Sequence, residues 1–297
     1  MTSPTRFDGI FTALVTPFTA AGAIDWAALD RLVVQQIEAG IAGLVPVGTT
    51  GEAATLSEAE QLAVISHVVN RADGAAYVMA GAGTNDTART LDTTRRATEA
   101  GVDGVLLITP YYNRPSQEGL VAHFTAVATT TRADVMLYSV PARTGVTIAA
   151  ETAAELSRSC GNIVAIKEAG GDPGRVTTLR AACGPDFAVH CGDDGLALPF
   201  YALGACGLTS VLSNLRPRDV VRLHQAWRSG DHETALALHD HLAPLAAAMF
   251  LEPSPGPVKH ALAIEGLIED KLRLPMMPVS AAADRHLRSL MGQATGQ

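Results

Sequence analysis

Short apolar runs recur along the chain at 10–15 (IFTALV), 41–47 (IAGLVPV), 76–80 (AYVMA), 102–109 (VDGVLLIT), 134–140 (DVMLYSV), 162–167 (NIVAIK), 186–191 (DFAVHC) and 205–212 (ACGLTSVL). Amphipathic segments of helical period alternate with them, for example DWAALDRLVVQQIEAG at 25–40 and SEAEQLAVISHVVNRA at 57–72. Runs without polar alternation fit strands buried on both faces, as in parallel sheets. Three segments echo one another: EAGIAGLVPVG, EAGVDGVLLIT and ALGACGLTSVL. Each reads as a helix end, a glycine suited to the left-handed C′ position, a turn and a strand. Eight such units predict an α/β fold of the (β/α)₈ TIM-barrel type. A doubly wound sheet is the competing architecture, but nothing like G-x-G-x-x-G follows the first strand.

From about Arg216 the strand runs stop and helical patterns continue, broken by Pro253, Pro255, Pro257, Pro275 and Pro278. The predicted organisation is a barrel over 1–225, carrying the active site, and a C-terminal helical region over 226–297. At 297 residues and 47% hydrophobic, the chain can fill one large core. A net charge of −8 with no run of Lys and Arg argues against nucleic acid. No apolar stretch approaches the roughly 20 residues of a membrane helix. The start, MTSPTRFDGIFTALVTPF, lacks the pattern of a secretory leader, so a cytoplasmic location is expected. The four cysteines are widely spaced without C-x-x-C and read as reduced thiols. DHETALALHDH at 231–241 contains no H-E-x-x-H and reads as a solvated helix face rather than a zinc site.

In such barrels chemistry sits at the C-terminal strand ends. Strand two ends in GTTGE (48–52), just before the capping box SEAE (57–60). Its hydroxyls and amides near a helix start suit a small anion or serve as an ordinary turn. Strand six ends in Lys167. A lysine there either snorkels to solvent at the rim or supplies a desolvated amine whose lowered pKa leaves some of it neutral and nucleophilic. Such an amine attacks a ketone to give a Schiff base. Glu168, next in the strand, should face the opposite side. Tyr138 lies near the end of strand five, as core packing or as a site hydroxyl. Tyr111 and Tyr112 could form a lid. Arg143, in VPARTG, is a surface arginine or a carboxylate clamp. Asp193 and Asp194, flanked by glycines, look like turn formers.

Taken in order and spacing, GTTGE, TPYYNRPSQEG, LYSVPARTG, IVAIKEAGG, CGDD, LEPSPGPVK and LRLPMMP resemble the dihydrodipicolinate synthase and N-acetylneuraminate lyase family over nearly the whole chain. YYNRPSQEG, VPARTG and EPSPGPVK look like its dihydrodipicolinate synthase branch. The resemblance implies condensation of pyruvate with L-aspartate 4-semialdehyde to 4-hydroxy-tetrahydrodipicolinate, on the route to diaminopimelate and lysine, with no metal and no cofactor. It implies that Lys167 forms the Schiff base and that Tyr138 moves protons. Thr49, Thr50 and Tyr112 would join Tyr138 in a hydroxyl relay, with Tyr112 reaching in from a neighbouring subunit of a dimer of dimers. Thr50 and Thr209 match positions that contact pyruvate, and Arg143 matches the position that holds the second substrate's carboxylate. Other pyruvate-dependent lyases of the family, acting on 2-keto-3-deoxy sugar acids or hydroxy-oxo acids, are the alternative, although VPARTG argues against them. A non-catalytic keto-acid-binding barrel is the remaining reading.

The chain departs from the branch pattern at Ser139, usually Asn, at Thr209, usually a bulky aliphatic residue, and at Ser254 and Gly256. Lysine-sensitive members bind that feedback inhibitor at positions matching Ala53, Ala54, Glu58, Gln61, Asn85, Arg89 and Tyr111. Glu58 and Gln61 replace two histidines common there, and Arg89 replaces a glutamate. Weak or absent inhibition by L-lysine is therefore expected.

Overall fold

The computed structural model describes residues 6–294, so the first five residues of the stretch read for a leader lie outside the described residues. Eight parallel strands close into a barrel in chain order: β1 Gly9–Ala13, β2 Gly43–Val45, β3 Tyr77–Gly81, β4 Gly104–Ile108, β5 Asp134–Ser139, β6 Ile163–Glu168, β7 Ala188–Cys191 and β8 Gly207–Ser210. All eight predicted strands are present. Pairing of β1 with β8, from Gly9↔Gly207 to Thr12↔Ser210, removes both sheet edges and excludes the open doubly wound sheet. Most strands are shorter than the apolar run that announced them. In β2 the ladder stops at Pro46, which has no amide to donate, and Val47 turns to φ 57.

The repeated glycines fulfil their predicted role. Gly40, Gly101 and Gly204 follow helix ends with φ of 80, 90 and 100, a region that costs an L side chain energy. The capping box also forms. Ser57 Oγ accepts from Glu60 N at 3.2 Å, and Glu60 Oε2 accepts from Ser57 N at 2.9 Å. Asp231 caps the helix His232–Ala248, whose 231–241 stretch is largely exposed. Among the described residues no helix is long and apolar enough to cross a membrane.

Two layers of core follow from strand alternation. Phe7, Phe11, Val45, Met79, Met136 and Ala165 belong to the cluster that fills the barrel interior. A second cluster lies between the strands and the surrounding helices. At the N-terminal end the interior is stoppered by Phe7 against Tyr77, ring centroids 5.6 Å apart. The Tyr77 hydroxyl there donates to Asp134 Oδ2 at 2.8 Å. The open end is therefore the C-terminal one. After β8 come the helices Pro217–Ser229, His232–Ala248, Gly256–Ile264 and Ala281–Ala294.

Candidate active site

At the C-terminal end, β5 and β6 place Tyr138 and Lys167 side by side in register. Both side chains face inward. Lys167 is only 6% exposed, and its Nζ sits 4.3 Å from the centroid of the Tyr138 ring. The Nζ makes no hydrogen bond or ion pair with any described residue. A buried amine without an anion beside it is costly unless the group has work that needs it. Glu168 faces the other way, as alternation predicts. It is fully buried outside the barrel, accepting from Gly170 N at 2.8 Å and pairing with Arg175 at 3.2 Å. Burial raises its pKa, and Arg175 opposes the rise.

The GTTGE loop covers the same end. Amides of Gly51, Glu52 and Ala53 are used within the loop, on Gly48 and Thr49 carbonyls. Those of Thr49 and Thr50 have no acceptor among the described residues, and neither do the Thr49, Thr50 and Tyr138 hydroxyls. The loop thus keeps donors for a small anion. A cleft of about 510 Å³ opens here, its lining including Thr49, Tyr138, Arg143, Glu58, Gln61, Arg89 and Tyr111 but not Lys167, Thr50 or Thr209. Arg143 stands exposed on the turn Pro141–Thr144 that follows β5. Tyr112 lies outside the cleft. It adopts φ 72 and is 92% exposed, so within one chain it does not join Tyr138.

Other candidates sort by direction. Asp193 is a turn former, accepting from Gly195 N at 3.0 Å. Asp194 is buried and accepts from Ser210 Oγ and from the amides of Val211 and Leu212. Ser139 is turned out of the barrel, its Oγ accepting from Ile148 N at 3.4 Å, so it does not touch the cleft. Thr209 points inward, 3.1 Å from His190 Nδ1. Sequence reasoning passed over His190. His190 interrupts the apolar run DFAVHC much as Lys167 ends its own.

A second buried lysine was also missed. Lys259, fully enclosed, donates to Glu52 Oε1 at 2.6 Å and to the Thr16 carbonyl at 2.9 Å. Arg273 N donates to the other oxygen of Glu52 at 3.1 Å, and the Arg273 guanidinium binds Glu60 and the carbonyls of Gly22 and Thr55. The C-terminal region thereby grips the GTTGE loop.

The model of the Dihydrodipicolinate synthetase family matches residues 6–294. The chain belongs to that family. The 4-hydroxy-tetrahydrodipicolinate synthase of Nitratidesulfovibrio vulgaris strain DP4 is 46% identical over 289 residues, covering 97% of this chain and 99% of the relative. The solved structure of the 4-hydroxy-tetrahydrodipicolinate synthase from Methylacidiphilum fumariolicum superposes with a TM-score of 0.95 at 44% identity, covering 97% of this chain and 95% of that one. A dihydrodipicolinate synthase from Acinetobacter baumannii, solved in complex with pyruvate, gives a TM-score of 0.94 at 39% identity, covering 97% and 99%.

Proposed function

We propose that this chain is a 4-hydroxy-tetrahydrodipicolinate synthase, a lyase-class enzyme of lysine biosynthesis that condenses pyruvate with L-aspartate 4-semialdehyde. The observation that carries the mechanism is Lys167: a buried amine with no ionic partner, against the Tyr138 ring, at the open end of the barrel. Its unprotonated amine attacks C2 of pyruvate, and loss of water leaves an iminium. The iminium withdraws electrons from the methyl group, which loses a proton to give an enamine. The enamine carbon attacks the semialdehyde carbonyl. The substrate amine then displaces Lys167 and closes the ring, releasing the free enzyme.

Tyr138 serves as proton donor and acceptor in these steps; Thr49 and Thr50, whose hydroxyls bond no described residue, join it in a relay with Tyr112 of a neighbouring subunit when substrate binds. The unpaired Thr49 and Thr50 amides suit the pyruvate carboxylate. Thr209 lines the pyruvate side, and Arg143, exposed at the rim, clamps the carboxylate of the semialdehyde. The exposed, left-handed Tyr112 supports a site finished by a neighbouring subunit, within a dimer of dimers. The enzyme works in the cytoplasm, as expected from the sequence.

A coupled assay with pyruvate, L-aspartate 4-semialdehyde and dihydrodipicolinate reductase, read by nicotinamide oxidation, tests the reading. Turnover that disappears in Lys167→Ala, together with borohydride trapping of pyruvate on Lys167, is the expected result. A Lys167→Ala protein that still traps pyruvate refutes the nucleophile. A folded wild type that traps pyruvate without turnover refutes the second substrate.

A further inference from the structure

We propose that His190 is a positioning residue for this reaction, fixing the Thr209 hydroxyl as a hydrogen-bond acceptor on the wall of the Schiff-base site. The inference deepens the reading above and rests on Lys167 forming the Schiff base. His190 lies on β7 in register with Lys167 on β6 and with Gly207 on β8. Its ring is fully buried inside the barrel, edge-on to Phe11 at 5.0 Å between centroids. A Cβ at position 207 would collide with that ring, so a glycine on β8 makes the room it occupies.

The partners decide where the protons are. His190 Nε2 lies 2.7 Å from the Phe7 carbonyl oxygen, which can only accept, so Nε2 carries a hydrogen. In the neutral ring Nδ1 is then an acceptor, and its neighbour at 3.1 Å, Thr209 Oγ1, has to donate. Burial, with Lys167 nearby, pushes His190 down to about 4, which keeps the ring neutral. The single hydroxyl proton of Thr209 is thus committed to the imidazole, and no other described residue bonds to it. What Thr209 has left to offer is lone pairs.

An acceptor-only wall discriminates between the two faces of the reacting carbon. It repels the carboxylate and keto oxygens of pyruvate and attracts the hydroxyl proton of the carbinolamine and the N–H of the iminium. Pyruvate is held with its oxygens toward the GTTGE amides and away from β8. An aliphatic residue at 209 would exclude water there without selecting an orientation. His190 touches no substrate and acts only through Thr209.

Steady-state kinetics on the full-length protein test this with His190→Leu, Thr209→Val, Thr209→Ser and the double variant His190→Leu/Thr209→Val. Each apolar single variant is expected to raise KM for pyruvate by roughly 5- to 20-fold while leaving KM for the semialdehyde alone. The double variant should lose no more than the worse single, because the two residues act as one unit. Thr209→Ser should recover most of what Thr209→Val loses. Proton-detected NMR of ¹⁵N-histidine-labelled wild type should show the Nε2–H tautomer. Additive losses, an unchanged pyruvate KM in both folded singles, or an Nδ1–H tautomer overturns the proposal. If His190→Leu fails to fold, the Val and Ser variants at 209 and the wild-type tautomer decide it. Borohydride trapping by wild type in the same series separates the two claims: trapping with an unaffected KM sinks only the role of His190, and no trapping sinks the Schiff-base reading as well.

Discussion

Lys259 Nζ lies 2.6 Å from Glu52 Oε1, across 207 residues of chain, with both side chains sealed from solvent. The lysine also stands 4.2 Å over the Phe18 ring, and the Arg273 guanidinium lies 4.4 Å over the same ring. Burial pulls the Lys259 pKa below the ordinary lysine range, and Glu52 opposes that shift. Glu52 itself adopts φ 54 at the end of GTTGE, a conformation that favours glycine. An ion pair and an amide from the C-terminal region therefore hold the loop that presents Thr49 and Thr50.

Lys259→Met leaves Glu52 buried without its cation, and loss of about 3–5 kcal/mol of unfolding free energy is expected in urea titrations. Adding Glu52→Gln should restore part of it, since the uncompensated charge is then gone. A Lys259→Met protein as stable as wild type would contradict the role given to the pair.

Tyr138→Phe keeps the ring that faces Lys167 and removes only the hydroxyl. Borohydride should still trap pyruvate on Lys167, whereas kcat falls by about 10²- to 10⁴-fold. Unchanged kcat would remove Tyr138 from the proton path.

Arg143→Ala should raise KM for the semialdehyde by roughly 10- to 100-fold, the scale of a charge-assisted hydrogen bond, without altering pyruvate trapping. Arg143→Lys should recover little, because a point charge does not reproduce the guanidinium fork. A rise in KM for pyruvate instead would move Arg143 to the other substrate.

L-lysine is expected to inhibit weakly or not at all. Glu58, Gln61 and Arg89 border the cleft that such a ligand would enter, and Arg89 sets a cation against a cation. Micromolar inhibition in the coupled assay would refute this.

Stability should fall on acidification between about pH 6.5 and pH 4. His190 is depressed from 6.5 to about 4, chiefly by burial; among charged neighbours Lys167 and His224 lower it further and Asp8 opposes. In that window the unfolded chain binds a proton that the folded one refuses, so stability declines as pH drops, by about 3 kcal/mol in total. His190→Leu should flatten this limb of a plot of unfolding free energy against pH. Glu60, held down to about 2 by its hydrogen bond with Arg273, adds a further decline below about pH 4.5 that His190→Leu leaves in place.

The barrel was legible because strands buried on both faces have to be written as unbroken apolar runs, and eight of them are. Lys167 stood out by breaking that rule at a strand end. His190 broke it in the same way, but lay among nine histidines and drew no notice. Glu52 and Lys259 carried no local signal, since each is an ordinary charged residue until the fold brings them together. The direction of Tyr112 was equally hidden, because a backbone turned to φ 72 follows from the loop around it and not from residue type. The early stop of β2 could have been read from Pro46.

The pairing of β1 with β8 also sets an order in time. A ribosome delivers Gly9–Ala13 near the beginning, yet the second neighbour of that strand is made only when Gly207–Ser210 emerges. Contacts of such separation form slowly, because a long loop has to close before they return any energy. Until then Lys167 sits in an unfinished wall, and the Phe7 carbonyl waits for an imidazole 183 residues behind it. A chain halted before residue 207 would hold Lys167 in a wall that cannot keep water from it. The wall around Lys167 therefore closes in one step, with the last stave of the barrel.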